Sequence, residues 1–364
     1  MTLHRYQPAD IARWQKSRPQ EERLADKLLF LSAELPLSDA LSAARQQQSK
    51  VALLGIPEDI GPRANLGLGG AELGWSSFLS TWLNLQANAF SQKMGPVLLA
   101  GHVQCDDLQQ QANTLDATKP EQLQQLRTLC HELDQRVEGI MTQLFQAGFY
   151  VIVIGGGHNN AYPLIKALAS ATEQAVHCAN LDPHSDFRPL EGRHSGNGFS
   201  YAWQQQLLAN YFVLGLHELK NSDASLIQMQ QAGAEFVSLQ ALFTRQQLSW
   251  QEALDRCIDF VADSTGAIGI ELDTDSIELM PASAFTSTGL TAHQASQYVY
   301  QLALLPRSRY LHLAEAAPAR HPAGQDAGML HCGQVLAALC DAFMQAKAVV
   351  VDSHADAAID EARA

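Results

Sequence analysis

A layered α/β fold with one largely parallel sheet is the architecture this chain predicts, and three observations predict it. Short, nearly all-apolar runs alternate with helix-like stretches through some seven or eight units. Each run is short enough for a strand, and its unbroken apolarity is what a strand covered on both faces requires. Residues able to carry chemistry fall just past the carboxyl ends of several runs, the edge at which open α/β sheets hold ligands. Strand and helix in this alternation imply helices on both faces of the sheet.

Residues 1 to about 48 are polar and helix-prone, with a rough helical apolar stripe over 22–31. They read as a helical N-terminal extension (1–48) lying on an α/β domain (49–364). Val51-Ala52-Leu53-Leu54-Gly55-Ile56 is the first clear strand, closed by Pro57 and followed by a glycine-rich loop, 58–70. The glycines there miss the G-x-G-x-x-G spacing and sit too far past the strand for a dinucleotide site, which leaves Arg63 and Asn65 as candidates for a site wall. Further strands are expected at 97–100, 149–154, 176–181, 211–215, 235–239, 266–272 and 310–314. Helices are expected at about 71–85, 120–147, from 161, 249–263, 291–305 and 327–346, and the last apolar run, 348–351, frays into a charged tail. The glutamines at 109–111 and 122–125 read as solvated surface.

Bulk properties narrow the function. With 364 residues, 46% of them apolar, the chain can bury a large core. A formal net charge of -14 and the lack of a Lys/Arg cluster argue against a nucleic-acid partner. Six cysteines without paired spacing argue against a zinc knuckle or a disulfide framework. No leader-like apolar segment opens the chain and no stretch approaches membrane-spanning length, so the expected compartment is the cytoplasm and no membrane partner is expected.

The chemistry concentrates in Ala179-Asn180-Leu181-Asp182-Pro183-His184-Ser185-Asp186. Side chains two apart on an extended segment point the same way, so Asp182, His184 and Asp186 can converge beyond the strand end. Carboxylate oxygen and imidazole nitrogen without thiolate suit hard or borderline divalent ions. Gly155-Gly156-Gly157-His158 ends another strand; read alone, His158 is equally a helix-start residue or a ligand. Asp273-Thr274-Asp275 ends a third. Six N/O donors on three strand ends exceed what one ion needs and fit two ions that share carboxylates and activate a water between them.

Those three motifs resemble, in order and at similar spacing, the metal motifs of the ureohydrolase family, which includes arginases, agmatinases and formimidoylglutamases. The resemblance covers roughly residues 50–346. It implies the three-layer α/β/α arginase-like fold and two Mn²⁺ per chain. One ion would take His158, Asp182, Asp186 and Asp273; the other would take Asp182, His184, Asp273 and Asp275. Glu315, in Leu-Ala-Glu-Ala-Ala-Pro, matches the family's acid that orients a cationic amidine or guanidine. The expected catalytic residues are therefore Asp186, accepting a proton from the activated water and passing it to the leaving nitrogen, and Glu315.

Departures from the motifs select a branch. Gly157 stands where arginases and agmatinases carry an aspartate, and Phe199 stands where arginases place a proton-shuttling histidine after Ser195-Gly196-Asn197. Arg188 replaces an asparagine, as in formimidoylglutamases, and its guanidinium can clamp a carboxylate bidentately. Arg188, Asn197 and His194 are the expected substrate contacts, with Arg193 a weaker candidate. The resemblance thus implies cleavage of N-formimidoyl-L-glutamate, a step of histidine degradation, to glutamate and formamide. Agmatinase, guanidinobutyrase or arginase activity is the alternative within the family. A non-catalytic binding relative and a single-zinc amide hydrolase of similar fold are the alternatives outside it. Relatives form trimers or hexamers, so a homo-oligomer is a further expectation.

Overall fold

The structure, a computed structural model, describes residues 2–16 and 18–361. Ten strands form one sheet: β1 (Leu3–His4), β2 (Leu28–Phe30), β3 (Val51–Gly55), β4 (Val97–Val103), β5 (Tyr150–Ile154), β6 (Val176–Leu181), β7 (Leu208–Leu216), β8 (Glu235–Ser238), β9 (Ile268–Asp273) and β10 (Ser308–Ala314). Their order across the sheet is β1-β4-β3-β5-β10-β9-β6-β7-β8, with β2 also on β4, and every pairing except β1–β4 is parallel. The eight strands expected from the sequence are those from β3 onward, with ends displaced by a few residues.

Burial explains why these segments are strands. Every residue of β3, β6 and β9 is buried, and both faces are covered. Leu37–Gln46, Pro120–Gln146, Ala161–Thr172 and Gly198–Gln204 build one apolar core with the strand residues of one sheet face. Gly74–Trp82, Trp250–Ala262, Ala292–Ala303 and the long helix Gln325–Glu361 build the other. The result is the expected three-layer α/β/α arrangement, and its two cores clamp a sheet that can expose chemistry only at its rims.

Two expectations need correction. The first 48 residues are not simply a helical extension: Leu28–Phe30 joins the sheet parallel to β4, and Leu3–His4 joins it antiparallel. The run Leu28-Leu29-Phe30-Leu31 serves a helical stripe or a strand equally well, and the unpaired backbone of β4 decides the matter, because each strand that docks there satisfies N–H and C=O groups otherwise left open. The second correction concerns length. Gln325–Val351 reaches the length and apolarity of a membrane span, with mean hydropathy 1.5. Yet 67% of its most apolar window is buried within the fold, against Gly74–Trp82 and Ala292–Ala303. The helix is a core element, and the apolar run 348–351 prolongs it.

Topology places the site. The chain builds β3, β4 and β5, jumps past two strand positions to β6, runs outward through β7 and β8, then returns to fill the gap with β9 and β10. The four central neighbours β5, β10, β9 and β6 thus end side by side at one rim, where the chain reverses its direction of winding.

Helix contact across the second core is tight at Gly333, where an added Cβ would collide with Ser77 and Thr81 of Gly74–Trp82. Gly333→Leu is therefore expected to force the two helices apart and to destabilise the protein by about 1–3 kcal/mol. A lowered denaturant midpoint with an unchanged slope would register this, and an unchanged midpoint would refute the close approach.

Candidate metal centre

Each of the four central strands delivers one acid or imidazole to the shared rim: β5 His158, β6 Asp182, β9 Asp273 and β10 Glu315. His158 arrives through three glycines. Gly155 and Gly156 take φ of 89° and 71°, values that side chains resist. At Gly157 φ is ordinary and space is the constraint, because a Cβ would run into Pro62 and the Asn159 side chain. The buried Glu58 carboxylate locks this loop. Its Oε1 accepts from Gly157 N at 2.7 Å and Asn160 Nδ2 at 2.7 Å, and its Oε2 accepts from Ile60 N at 2.6 Å and Gly61 N at 3.2 Å. The sequence offered no signal for Glu58 beyond an acid just past the first strand.

Around His158 the expected ligands converge. His158 Nδ1 lies 2.9 Å from Asp186 Oδ2, 3.2 Å from Asp182 Oδ2 and 3.6 Å from Asp273 Oδ2. His184 Nδ1 lies 3.4 Å from Asp182 Oδ1 and 3.2 Å from Asp275 Oδ2. Two donor groups result, His158 with Asp182, Asp186 and Asp273, and Asp182 with His184 and Asp275, and within each the donor atoms lie within 4.8 Å of one another. Asp182 is common to both. Asp273 belongs to the first group, through Oδ2 beside His158, and its Oδ1 accepts from Asp275 N at 2.8 Å. Asp186 and Glu315 hold φ of 44° and 66°, a conformation costing on the order of 1–3 kcal/mol for a non-glycine residue.

The donor set fits divalent cations. His158 Nδ1 and Asp275 Oδ1 are buried without a hydrogen-bond partner among the described residues, and the former stands amid three carboxylates. Oxygen and imidazole donors without thiolate suit manganese and its neighbours. Burial dominates the electrostatics. It pushes Asp186 up to about 6, assisted by the Asp182 charge, and Glu315 up to about 8 against hydrogen bonds from His158 and Ser283. Burial and the charges of Asp275 and Asp182 hold Asp273 well above the usual carboxylate range. Asp182 is the exception, since the adjoining imidazoles of His158 and His184 overcome burial and bring it below its ordinary value. Burial would depress both imidazoles, but the surrounding carboxylates raise them well above theirs.

The cluster floors a cavity of about 610 Å³, whose lining includes Asn65, Asp186, Arg188, Lys220, Ser283 and Glu315. Glu315 Oε1 accepts from His158 N at 2.9 Å, and Oε2 accepts from Ser283 Oγ at 2.7 Å. Each oxygen keeps a second lone pair for another donor. Arg188 is half-exposed on the wall, with Nη2 3.1 Å from Glu191 Oε1. Lys220 and Ser283 come from loops whose sequence gives no periodic or motif signal.

Three expected contacts do not reach this cavity. Asn197 is buried with its polar groups spent on its own loop, Oδ1 accepting from Arg193 Nη1 and His194 N, Nδ2 donating to Gly192 O and Pro189 O. His194 is buried too; its Nδ1 accepts from Gly196 N, its Nε2 faces Glu191, and burial with nearby arginines pushes it down to about 3. Neither lines the cavity. Arg193 pairs with Asp134 at 2.8 Å, donates to Asn159 O and lies over the rings of Tyr162 and Tyr201. It ties the 188–197 loop to Pro120–Gln146 through Asp134 and to the turn that carries His158 through Asn159 O. Arg63, a candidate for the wall, instead donates to Ala112 O and Leu115 O away from the cavity. Phe199 packs edge-on against the His158 ring, at 5.4 Å between centroids.

A parallel-sheet rim carrying two adjoining N/O donor groups under a polar cavity is the arrangement of a binuclear metal site. The arginase family model matches residues 49–340, and the chain belongs to the arginase family. Among curated proteins, the formimidoylglutamase of Macrococcus caseolyticus is 29% identical over 171 residues, 46% of this chain and 53% of that protein, so this match spans about half the relative's length. The formimidoylglutamase of Legionella pneumophila is 25% identical over 260 residues, 69% of this chain and 71% of the relative. Among solved structures, Trypanosoma cruzi formiminoglutamase with Mn²⁺ superposes with a TM-score of 0.67 at 18% identity over 90% of this chain and 99% of the other, a likeness of fold.

Removing this tie should be costly. Arg193→Ala leaves Asp134 buried and uncompensated, a loss expected at about 3–5 kcal/mol in chemical denaturation; a loss below 1 kcal/mol would mean that the pair bears no structural load. Cation binding is expected to stabilise the fold, by about 2.7 kcal/mol per site at a hundredfold excess over Kd. That gain should grow between about pH 6 and pH 8. Asp186 and Glu315, raised to about 6 and about 8, still hold protons there in the metal-free fold, and those protons stabilise it until they leave as pH rises. Melting curves with chelator and with Mn²⁺ at both pH values check this; a gap that narrows towards pH 8 would contradict it.

Proposed function

We propose that this protein is a binuclear-manganese hydrolase of linear amidines, acting on N-formimidoyl-L-glutamate to release L-glutamate and formamide. One observation carries the reading: a single cavity has a floor of carboxylates and a wall bearing the cations Arg188 and Lys220. A ligand with one cationic end and one anionic end matches that polarity. The amidinium of formimidoylglutamate would lie towards Glu315 and its carboxylates towards Arg188, where a guanidinium forms two parallel charge-assisted hydrogen bonds. Agmatine carries no carboxylate for that wall.

Two Mn²⁺ ions held by His158, Asp182, Asp186 and Asp273 on one side and by Asp182, His184 and Asp275 on the other would supply a water ionisable near neutral pH. The chain's own residues do the rest. Asp186, at the edge of the donor cluster and lining the cavity, accepts the proton of the attacking water and delivers it to the nitrogen that departs as the amine of glutamate. Glu315 holds the amidinium through its remaining lone pairs, its carboxylate fixed by His158 N and Ser283. Phe199, beside His158, puts an apolar ring where arginases place a shuttle, so Asp186 carries the proton alone.

Family membership, the two curated relatives and the Mn²⁺ in the Trypanosoma structure support this reading. The crowding at Gly157, which leaves no room for an acid there, supports the formimidoylglutamase branch. The six free, buried cysteines support a cytoplasmic setting, since reducing compartments keep thiols unpaired. Within such a compartment the reaction would serve histidine degradation.

The test is a Mn²⁺-reconstituted assay across formimidoylglutamate, arginine, agmatine and guanidinobutyrate, following glutamate, formamide and urea. Glutamate and formamide in equal amounts are expected; urea from a guanidino compound, with formimidoylglutamate untouched, would reject the proposal. Arg188→Ala is expected to raise KM for formimidoylglutamate by roughly 10–100-fold, the worth of a hydrogen bond to a charged group, with a smaller change in kcat.

A further inference from the structure

Behind the metal cluster, on the sheet side of His158, lies a second polar layer that the reaction above does not use. Glu271 precedes Asp273 by two residues on β9, and it is fully buried. Its Oε1 accepts from Tyr310 Oη at 2.6 Å, and its Oε2 lies 2.7 Å from His312 Nδ1 and 3.4 Å from His158 Nε2. Tyr310 and His312 alternate on β10, and His312 sits directly across from Glu271 in the parallel register. His312 Nε2 faces Gly155 O at 3.4 Å, the first residue of the glycine turn that carries His158.

A buried carboxylate in the middle of a sheet is expensive, and apolar side chains of the same volume would commonly make the core as stable or more so. Its geometry suggests what it does instead. His158 stands between two acidic layers, Nδ1 towards Asp182, Asp186 and Asp273, and Nε2 towards Glu271. An imidazole that gives Nδ1 to a cation keeps its proton on Nε2, and an acceptor there fixes both tautomer and ring orientation. Nε2 is buried with no hydrogen-bond partner among the described residues, and Glu271 is the carboxylate that faces it.

We propose that Glu271, clamped by Tyr310 and His312, is a positioning residue for His158: it holds the imidazole with Nδ1 towards the donor cluster and so sets how tightly the cation beside His158 is bound, independently of the cation beside His184. This rests on the metal reading above. Glu271→Gln keeps the shape but weakens the acceptor. In Mn²⁺ titrations of the whole protein, followed by elemental analysis and electron paramagnetic resonance, it is expected to lower affinity at one of the two sites by about 10–100-fold and to leave the other unchanged. At limiting Mn²⁺ the exchange-coupled signal of a pair should give way to that of an isolated ion. A purely structural role would lower the melting point of the chelator-treated protein and leave the two affinities in their wild-type ratio, which would overturn the proposal. Should Glu271→Gln fail to fold, Tyr310→Phe loosens the clamp and keeps the charge; a smaller fall at the same single site is expected, and two unchanged affinities would overturn the proposal. Wild-type protein that binds no Mn²⁺ would instead remove the metal reading itself.

Discussion

The structure depends on the close approach of buried carboxylates to two imidazoles at the rim of four adjacent strands. Asp182, Asp186, Asp273, Asp275 and Glu315 share a space in which ionising one raises the cost of ionising the next. Such a cluster holds together only with positive charge among the acids, whether protons, imidazolium or metal ions. Much of the surrounding architecture serves to keep that arrangement in place. Parallel strands of matched register bring the side chains to one level, and the apolar layers on both faces stop the sheet from yielding.

Loops at the rim cannot rely on apolar packing, so they are held by buried polar anchors. Glu58 gathers backbone and side-chain donors from two glycine-containing turns, and Arg193 joins three segments through one guanidinium. Both act through geometry alone. They make rigid what would otherwise be the most mobile part of an α/β protein, and rigidity at the first coordination layer is what a site of defined shape requires.

Most of the architecture was legible in the sequence because strands buried on both faces leave unbroken apolar runs such as Val51–Leu54 and Val151–Ile154, and few other elements do. Five of the six donor residues were legible because alternation along a strand end has a period that survives without coordinates, whereas His158, a lone donor after three glycines, drew its meaning from the other two motifs. What stayed hidden has a common physical character. Leu28–Phe30 became a strand because β4 had an open edge, a fact about a neighbour. Asn197 and His194 read as site residues by proximity in sequence, yet their side chains turn inward to brace the loop. Glu58 and Glu271 each owe their meaning to partners some forty to a hundred residues away, and no local pattern records such a debt.

The crowding around Gly157 reaches beyond explaining one missing side chain. Pro62 belongs to a segment anchored by Glu58, and Glu58 in turn anchors the turn bearing Gly157, so the two turns are interlocked. Converting this scaffold to the aspartate-bearing motif of its guanidino-cleaving cousins is therefore not a single-codon change. An engineer would have to rebuild residues 57–65 together with 155–160, because neither turn can change shape while the other keeps its own.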